Sequence, residues 1–257
     1  MRLDATRPST ITLSIVVPAY NEEKRIAPTL AAFDDHLRAL GLAYEILVVD
    51  DGSSDGTVEL VRRIAVERPA ICCLPTRPNR GKGHAVRAGM LSARGRIRVM
   101  VDADGSIPPD QLPAVIGPLM AGTADVAIGS RYVEGARVAE RQPLWRRAWS
   151  RVVNRVVQKS LVPGVRDTQC GFKAFTAEMA AAVFQRCRID GWAFDLEALA
   201  LAHRLGARVV EVGVTWQDDA RSRVNPVRDF IVVIREWRLI RSNFRSGVYG
   251  LLPSASS

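Results

Sequence analysis

The sequence predicts an α/β fold, a mainly parallel sheet flanked by helices. Three observations carry this. Short apolar, often β-branched runs at 11–17, 44–49, 71–74, 97–101 and 124–128 read as buried strands. Between them lie stretches with helical spacing of apolar residues, at about 25–40, 57–67, 84–93 and 111–120. Strict strand–helix alternation is the pattern of parallel strands joined by right-handed crossovers.

Residues 1–10 are polar and predict a flexible N-terminus. The first run ends at Pro18-Ala19-Tyr20-Asn21-Glu22-Glu23, and Leu30, Phe33, Leu37 and Leu40 then mark a helix that stops at Gly41. The second run ends at Asp50-Asp51-Gly52. The third leads to Asn79-Arg80-Gly81-Lys82-Gly83, a glycine-rich basic loop. The fourth, ending at Val101, is followed by Asp102-Ala103-Asp104-Gly105, and the fifth by Gly129-Ser130-Arg131. The second half changes character. Trp145, Trp149, Val152, Val153 and Val156 recur at helical spacing beside Arg147, Arg151, Arg155 and Lys159, which predicts an amphipathic helix over 145–161. A polar loop at 167–173 enters a short strand. A helix opens near Gly191, a strand spans 208–214, and a last helix spans 227–245 with Val233, Trp237, Ile240 and Phe244 on one face. No repeat, low-complexity segment or linker is visible.

Composition bounds the partners. The 257 residues suit one large domain, and the formal net charge of +9 suits polyanionic ligands such as phosphorylated substrates, anionic headgroups or nucleic acid. Nucleic acid has no further support, because basic residues cluster late and around no reading motif. Cys72, Cys73, Cys170 and Cys187 have no zinc-ligand spacing and predict reduced, mostly buried thiols, as in the cytoplasm. No apolar run reaches a membrane span and no signal-peptide core is evident, so a membrane-associated protein would lie on the surface.

The polar residues matter through their placement. In a parallel sheet, ligands sit outside the carboxyl ends of the strands. Three strand ends carry carboxylates here and a fourth carries the basic loop, so all converge on one crevice that would suit a nucleotide sugar. Asp102 and Asp104 alone have two readings: ligands for a divalent ion, or a polar turn capping the next helix. Asp50 and Asp51 could likewise serve as helix caps. Tyr20 could be a packed aromatic, Gly81 and Gly83 could simply permit a turn, and Trp192 and Phe194 could belong to the core or to a sugar pocket. His84 and His203 read as structural.

Taken together, 15–23, 48–55, the Asp102–Asp104 pair and 129–131 resemble the inverting nucleotide-sugar glycosyltransferases of family 2, which have a Rossmann-like GT-A fold. Asp167-Thr168-Gln169-Cys170-Gly171-Phe172-Lys173, Trp192-Ala193-Phe194-Asp195 and Ser222-Arg223-Val224 resemble the dolichyl-phosphate glucosyltransferase and mannose synthase branch, nearer the glucosyl one. The likeness covers roughly residues 11–230. It implies a GT-A domain over 11–226, with a nucleotide-sugar half at 11–130 and an acceptor half at 131–226. A C-terminal amphipathic helix and tail follow at 227–257. It further implies that Pro18, Tyr20, Glu22, Asp51 and Lys82 line the nucleotide. Asp102 and Asp104 would hold the diphosphate through Mg²⁺ or Mn²⁺, with Asp104 the principal metal ligand, and Arg223 would pair with the diphosphate. Arg131, Arg146 and Ser150 would bind the acceptor phosphate. Asp195 would bind sugar hydroxyls or serve as a base. Ser106 departs from the Gln common in the mannose synthases.

The expected activity is therefore glucosyl transfer from UDP-glucose to a polyprenyl or dolichyl phosphate. The expected location is peripheral, on the cytoplasmic (inner) face of a membrane, with a separate membrane protein as a possible partner. A phosphate monoester has a second pKa near about 6 and arrives already ionised, so it needs arginines rather than a base. The alternatives are a GDP-mannose donor, a soluble hydroxyl acceptor, or a non-catalytic nucleotide-sugar-binding membrane module.

Overall fold

A computed structural model describes residues 11–138, 161–216 and 226–251. Its centre is a seven-stranded sheet built from β1 (Leu13–Ala19), β2 (Tyr44–Asp50), β3 (Ile71–Pro75), β4 (Ile97–Val101), β5 (Val126–Ser130), β7 (Phe172–Thr176) and β8 (Val209–Gly213), in the order β3-β2-β1-β4-β7-β5-β8. Two short strands, β6 (Arg137–Val138) and β9 (Thr215–Trp216), pair in parallel beside it. The helices are α1 (Ile26–Ala39), α2 (Thr57–Glu67), α3 (Lys82–Ser92), α4 (Leu112–Met120), α5 (Ala177–Phe184), α6 (Phe194–Arg204) and α7 (Pro226–Arg245), with a 3₁₀ turn at Pro109–Gln111.

The α/β expectation holds, and the sheet is mostly parallel. The exception is β7, which runs antiparallel between β4 and β5. Strand–helix alternation does not reveal such an insertion, because nothing in the composition of a short strand sets its direction in the sheet. Two further elements are absent from the sequence reading. Helix α5 is one of them; it is only eight residues long and starts at Thr176, whose hydroxyl accepts the Met179 N–H. The other is the two-residue β6–β9 pair, too short to show a period.

Every residue of β1 is buried, which explains its continuous apolar run. Pro18 sits in this central strand without cost. Pairing with β4 extends only from Leu13–Ile97 to Val16–Met100, so the missing N–H falls where the two strands have parted. That parting opens the crevice. The strand also starts two residues later than its hydrophobic run suggests and reaches Ala19, which brings Tyr20 to the sheet edge. Helix α1 buries Ile26, Leu30, Phe33 and Leu37 on one face, as its spacing predicts. In α7, Val233 and Ile240 are buried and Trp237 and Phe244 pack against the core, so this face is covered by the protein itself.

Of the four thiols, Cys170 and Cys187 are buried, but Cys73 is only partly so and Cys72 is exposed. The expectation of mostly buried cysteines fails there because β3 is an edge strand, with Cys72 facing outward. Among the described residues no helix is long and apolar enough to cross a membrane. The predicted amphipathic helix at 145–161 lies outside the described residues, apart from Leu161.

Candidate active site

Four strand ends build one cleft of about 440 Å³, lined by Pro18, Tyr20, Glu22, Asp51, Lys82, Asp102 and Asp104 together with Arg25, Asn79 and Trp192. Seven of the eight residues predicted for the nucleotide and its metal therefore line it, the eighth being Arg223. Arg131 and Asp195 do not line it, and Arg146, Ser150 and Arg223 lie outside the described residues.

The β1 loop is held by its neighbour. Asn21 adopts a left-handed backbone (φ 55°), a conformation asparagine tolerates. Its side-chain oxygen accepts the Ser54 N–H at 2.9 Å, while its own N–H donates to Ser53 Oγ at 2.9 Å. The Glu22 N–H donates to Thr57 Oγ1 at 2.9 Å. These bonds leave Tyr20 45% exposed at the cleft wall. The Glu22 carboxylate is engaged by Arg25, at 2.8 and 2.6 Å, so it presents a paired rather than a bare charge.

Asp50 and Asp51 divide their work. Asp50 is buried and accepts the Gly52 and Ser53 N–H groups, holding its own turn. Asp51 accepts the N–H groups of Arg80, at 3.2 Å, and Gly81, at 2.6 Å, and so fixes the glycine-rich loop across the cleft. Neither caps α2, whose N-cap is Gly56; Asp55, just before it, accepts the Thr57 N–H at 3.1 Å. Gly81 stands at φ 119°, open only to glycine, and Lys82 is the first residue of α3 rather than a loop residue. The expected start near His84 is late because Gly83, a poor helix former, sits in the first turn.

Lys82 reaches back to Asp102, with Nζ 2.6 Å from Oδ1. Burial works against its charge, but Asp102, Asp195 and Asp104 outweigh it and hold the lysine above its ordinary pKa. Asp104 accepts the Ser106 N–H at 2.9 Å and its hydroxyl at 2.7 Å, both on Oδ1. Oδ2 accepts no hydrogen bond among the described residues. Ser106 thus orients Asp104. Behind Asp102, a Cβ on Gly171 would meet Oδ2 at 2.1 Å, so only glycine lets β4 and the 167–173 loop come this close.

Asp195 is buried at the start of α6, paired with Lys173 at 2.7 Å. Burial raises its pKa, opposed by Lys173 and Lys82. Lys173 is itself buried and also donates to the Cys170 carbonyl. Sequence reading assigns it no role; a lysine inside an otherwise apolar strand was the available signal. Of the two open aromatics, Phe194 is buried in the core, whereas Trp192 is 47% exposed at the cleft.

Arg131 follows β5. Its guanidinium is gripped by the fully buried Asp167, Nε to Oδ2 at 2.8 Å and Nη2 to Oδ1 at 2.9 Å, and its own N–H donates to the same carboxylate at 3.0 Å. The Tyr132 and Trp216 rings lie 5.6 and 5.5 Å from it. Burial raises the Asp167 carboxyl, but Arg131 outweighs this and holds it below the usual range. Nη1 has no hydrogen-bond partner among the described residues, which leaves a donor edge for a ligand.

Comparison with known proteins fits this geometry. The sequence profile of "Glycosyl transferase family 2" matches residues 14–184. The chain belongs to glycosyltransferase family 2. It is 35% identical over 254 residues to the dolichyl-phosphate beta-glucosyltransferase of Dictyostelium discoideum, covering 93% of this chain and 76% of that one. It is 34% identical to the human protein of the same name, covering 93% and 78%. The fold matches that of Mycobacterium tuberculosis glucosyl-3-phosphoglycerate synthase, solved with Mn²⁺ and UDP-glucose. The TM-score there is 0.62 at 20% identity, over 95% of this chain and 81% of that one. This transferase is thus an enzyme with a GT-A-type fold.

Proposed function

We propose that this glycosyltransferase moves glucose from UDP-glucose to a polyprenyl or dolichyl phosphate, inverting the anomeric carbon, at the cytoplasmic surface of a membrane. The observation that carries the reading is the cleft itself. Two carboxylates and a lysine meet between the exposed aromatic residues Tyr20 and Trp192. The relatives' name supports the choice of sugar and acceptor.

Asp102 and Asp104 fit a divalent ion. They are hard oxygen donors, and of the two Asp104 oxygens only Oδ1 accepts hydrogen bonds among the described residues. Bound there, Mg²⁺ or Mn²⁺ would neutralise charge on the departing diphosphate.

The chain's residues do the rest. Tyr20 and Trp192 supply apolar walls for the base and sugar. Lys82 supplies a cation beside the diphosphate, and Arg223 would add a second. Arg131, with Arg146 and Ser150, would seat the acceptor phosphate; a guanidinium already fixed by Asp167 loses little freedom on binding. One acceptor oxygen attacks C1, the C1–O bond to the diphosphate breaks, and its electron pair leaves with UDP. No proton need move, because the acceptor is already ionised. Asp195 accepts hydrogen bonds from sugar hydroxyls. The lipid acceptor and the net charge of +9 favour a peripheral position on an anionic surface, with or without a membrane-protein partner.

The test is transfer of labelled glucose from UDP-glucose to a polyprenyl phosphate in detergent with Mn²⁺. Wild type should yield a lipid-linked sugar. Asp104→Asn should reduce turnover by about 10²-fold or more at unchanged thermal stability. Transfer only to soluble hydroxyl acceptors would overturn the reading, and full activity of Asp104→Asn would overturn the metal assignment.

A further inference from the structure

We infer that Glu236, in the middle of α7, is a positioning residue that latches the 188–193 loop and so holds Trp192 over Lys82 in the donor cleft. The inference rests on reading that cleft as the nucleotide-sugar site.

The glycine-rich loop and the 188–193 loop are stacked with no room for a side chain between them, and the Glu236 side chain of α7 closes on the loop from its other side. A Cβ on Gly81 would meet the Asp190 carbonyl oxygen at 2.4 Å, and one on Gly83 would meet the Ile189 oxygen and Phe194 Cβ, each at 2.6 Å. On the other side of the loop, a Cβ on Gly191 would meet Glu236 Oε1 at 2.0 Å. The glycine-rich loop, the 188–193 loop and α7 therefore form one contact chain, in which a shift of α7 is felt at Lys82.

Both ends of the loop are tied to carboxylates. At the near end, the N–H groups of Arg188 and Ile189 donate to Glu197 at 2.9 Å, and the Tyr249 hydroxyl braces Glu197 at 2.7 Å. At the far end, the Ala193 N–H donates to Glu236 Oε2 at 2.7 Å. Between them, Asp190 binds Arg80 at 2.8 Å and Arg87 at 3.0 Å. Trp192 is 47% exposed, and Lys82 Nζ lies 5.7 Å from its ring centroid.

Glu236 is an unfavourable choice for packing alone. Burial raises its pKa, the hydrogen bond from the Ala193 N–H opposes the rise, and Glu197 and Asp190 add to it against Arg235. A partly buried carboxylate among acidic neighbours costs stability unless its hydrogen bond is needed. The bond it makes is to the residue directly after Trp192.

The experiment uses the full chain labelled with 5-fluorotryptophan, with the Trp192 ¹⁹F resonance identified by its loss in Trp192→Phe. Binding of UDP-glucose with Mn²⁺ is measured by calorimetry without acceptor. Glu236→Ala should move or broaden the Trp192 resonance in the ligand-free protein and weaken UDP-glucose binding about tenfold, the scale of one charge-assisted hydrogen bond. Glu236→Gln, which keeps an acceptor oxygen, should stay within about twofold of wild type. Gly191→Ala drives its methyl into Glu236 and should weaken binding similarly. Added to Glu236→Ala it should cost little more, because the clash partner is gone.

An unchanged Trp192 resonance and affinity in Glu236→Ala would overturn the inference. So would effects of the two substitutions that simply multiply. Wild-type protein that binds no UDP-glucose would overturn the donor reading instead, and the ligand-free Trp192 resonance would still decide the latch.

Discussion

Asp167→Ala removes the carboxylate that grips Arg131 and leaves the guanidinium between two rings with no anion. Asp167 is fully buried, and the lost interactions are three hydrogen bonds, two of them to the guanidinium. Breaking a buried pair by deleting one partner costs about 3–5 kcal/mol. The Arg131 side chain keeps 21% exposure and can recover some hydration, so the lower end, about 3 kcal/mol, is expected. For a chain of this size that lowers Tm by about 6–12 °C, read by thermal melts followed by circular dichroism. Transfer assays should show the acceptor KM rising while UDP-glucose binding changes little, because the donor cleft does not include Arg131. The double variant Asp167→Ala/Arg131→Leu should regain much of the stability but none of the acceptor affinity, since no buried charge is left unpaired. The pair also fixes a pH dependence. Asp167 is held below its ordinary value of 3.8, so its contribution is present above that pH and lost as pH falls through the lower folded value. Asp167→Asn should flatten the acid limb of unfolding. An Asp167→Ala melt within 2 °C of wild type (about 1 kcal/mol or less), with acceptor KM unchanged, would refute the claim that this carboxylate organises the acceptor side.

Two further outcomes test the donor side. Gly171→Ala should push Asp102 out of place, because the new methyl would sit 2.1 Å from its Oδ2; the expected result is weakened Mn²⁺-dependent UDP-glucose binding, measured by calorimetry, with the fold retained by circular dichroism. Lys173→Met removes the cation that opposes the burial-driven rise of Asp195. The Asp195 pKa should then climb further, moving the acid limb of the kcat/KM profile to higher pH. The same shift makes stability fall as pH rises through the new folded value, since a raised carboxyl favours folding only while protonated.

Much of this enzyme is legible in one dimension. The buried run of β1, the helical spacing of α1 and the acidic strand ends are local signals, and parallel α/β topology brings those strand ends to one edge whatever the side chains do in detail. Hence Pro18, Tyr20, Glu22, Asp51, Lys82, Asp102 and Asp104 could be grouped before any coordinates. The antiparallel β7 carries no such signal, because strand direction is set by where the chain returns rather than by composition. Lys173 and Gly171 are informative only through that strand, which places one beneath Asp195 and the other against Asp102.

The sequence by itself determined the parallel core and the acidic strand ends, which rest on periodicity and spacing within a few dozen residues, while the family showed through the likeness of short motifs at 15–23, 48–55, 102–104 and 129–131. Tertiary structure decided what those residues are free to do. It set Asp51 to holding the glycine-rich loop, joined Lys82 to Asp102 and gave Arg131 to Asp167. It also set Glu236 against a loop 43 residues away in the chain. Charge pairing acts across a few ångströms of space regardless of chain separation, so partners like these cannot be read from neighbours in sequence.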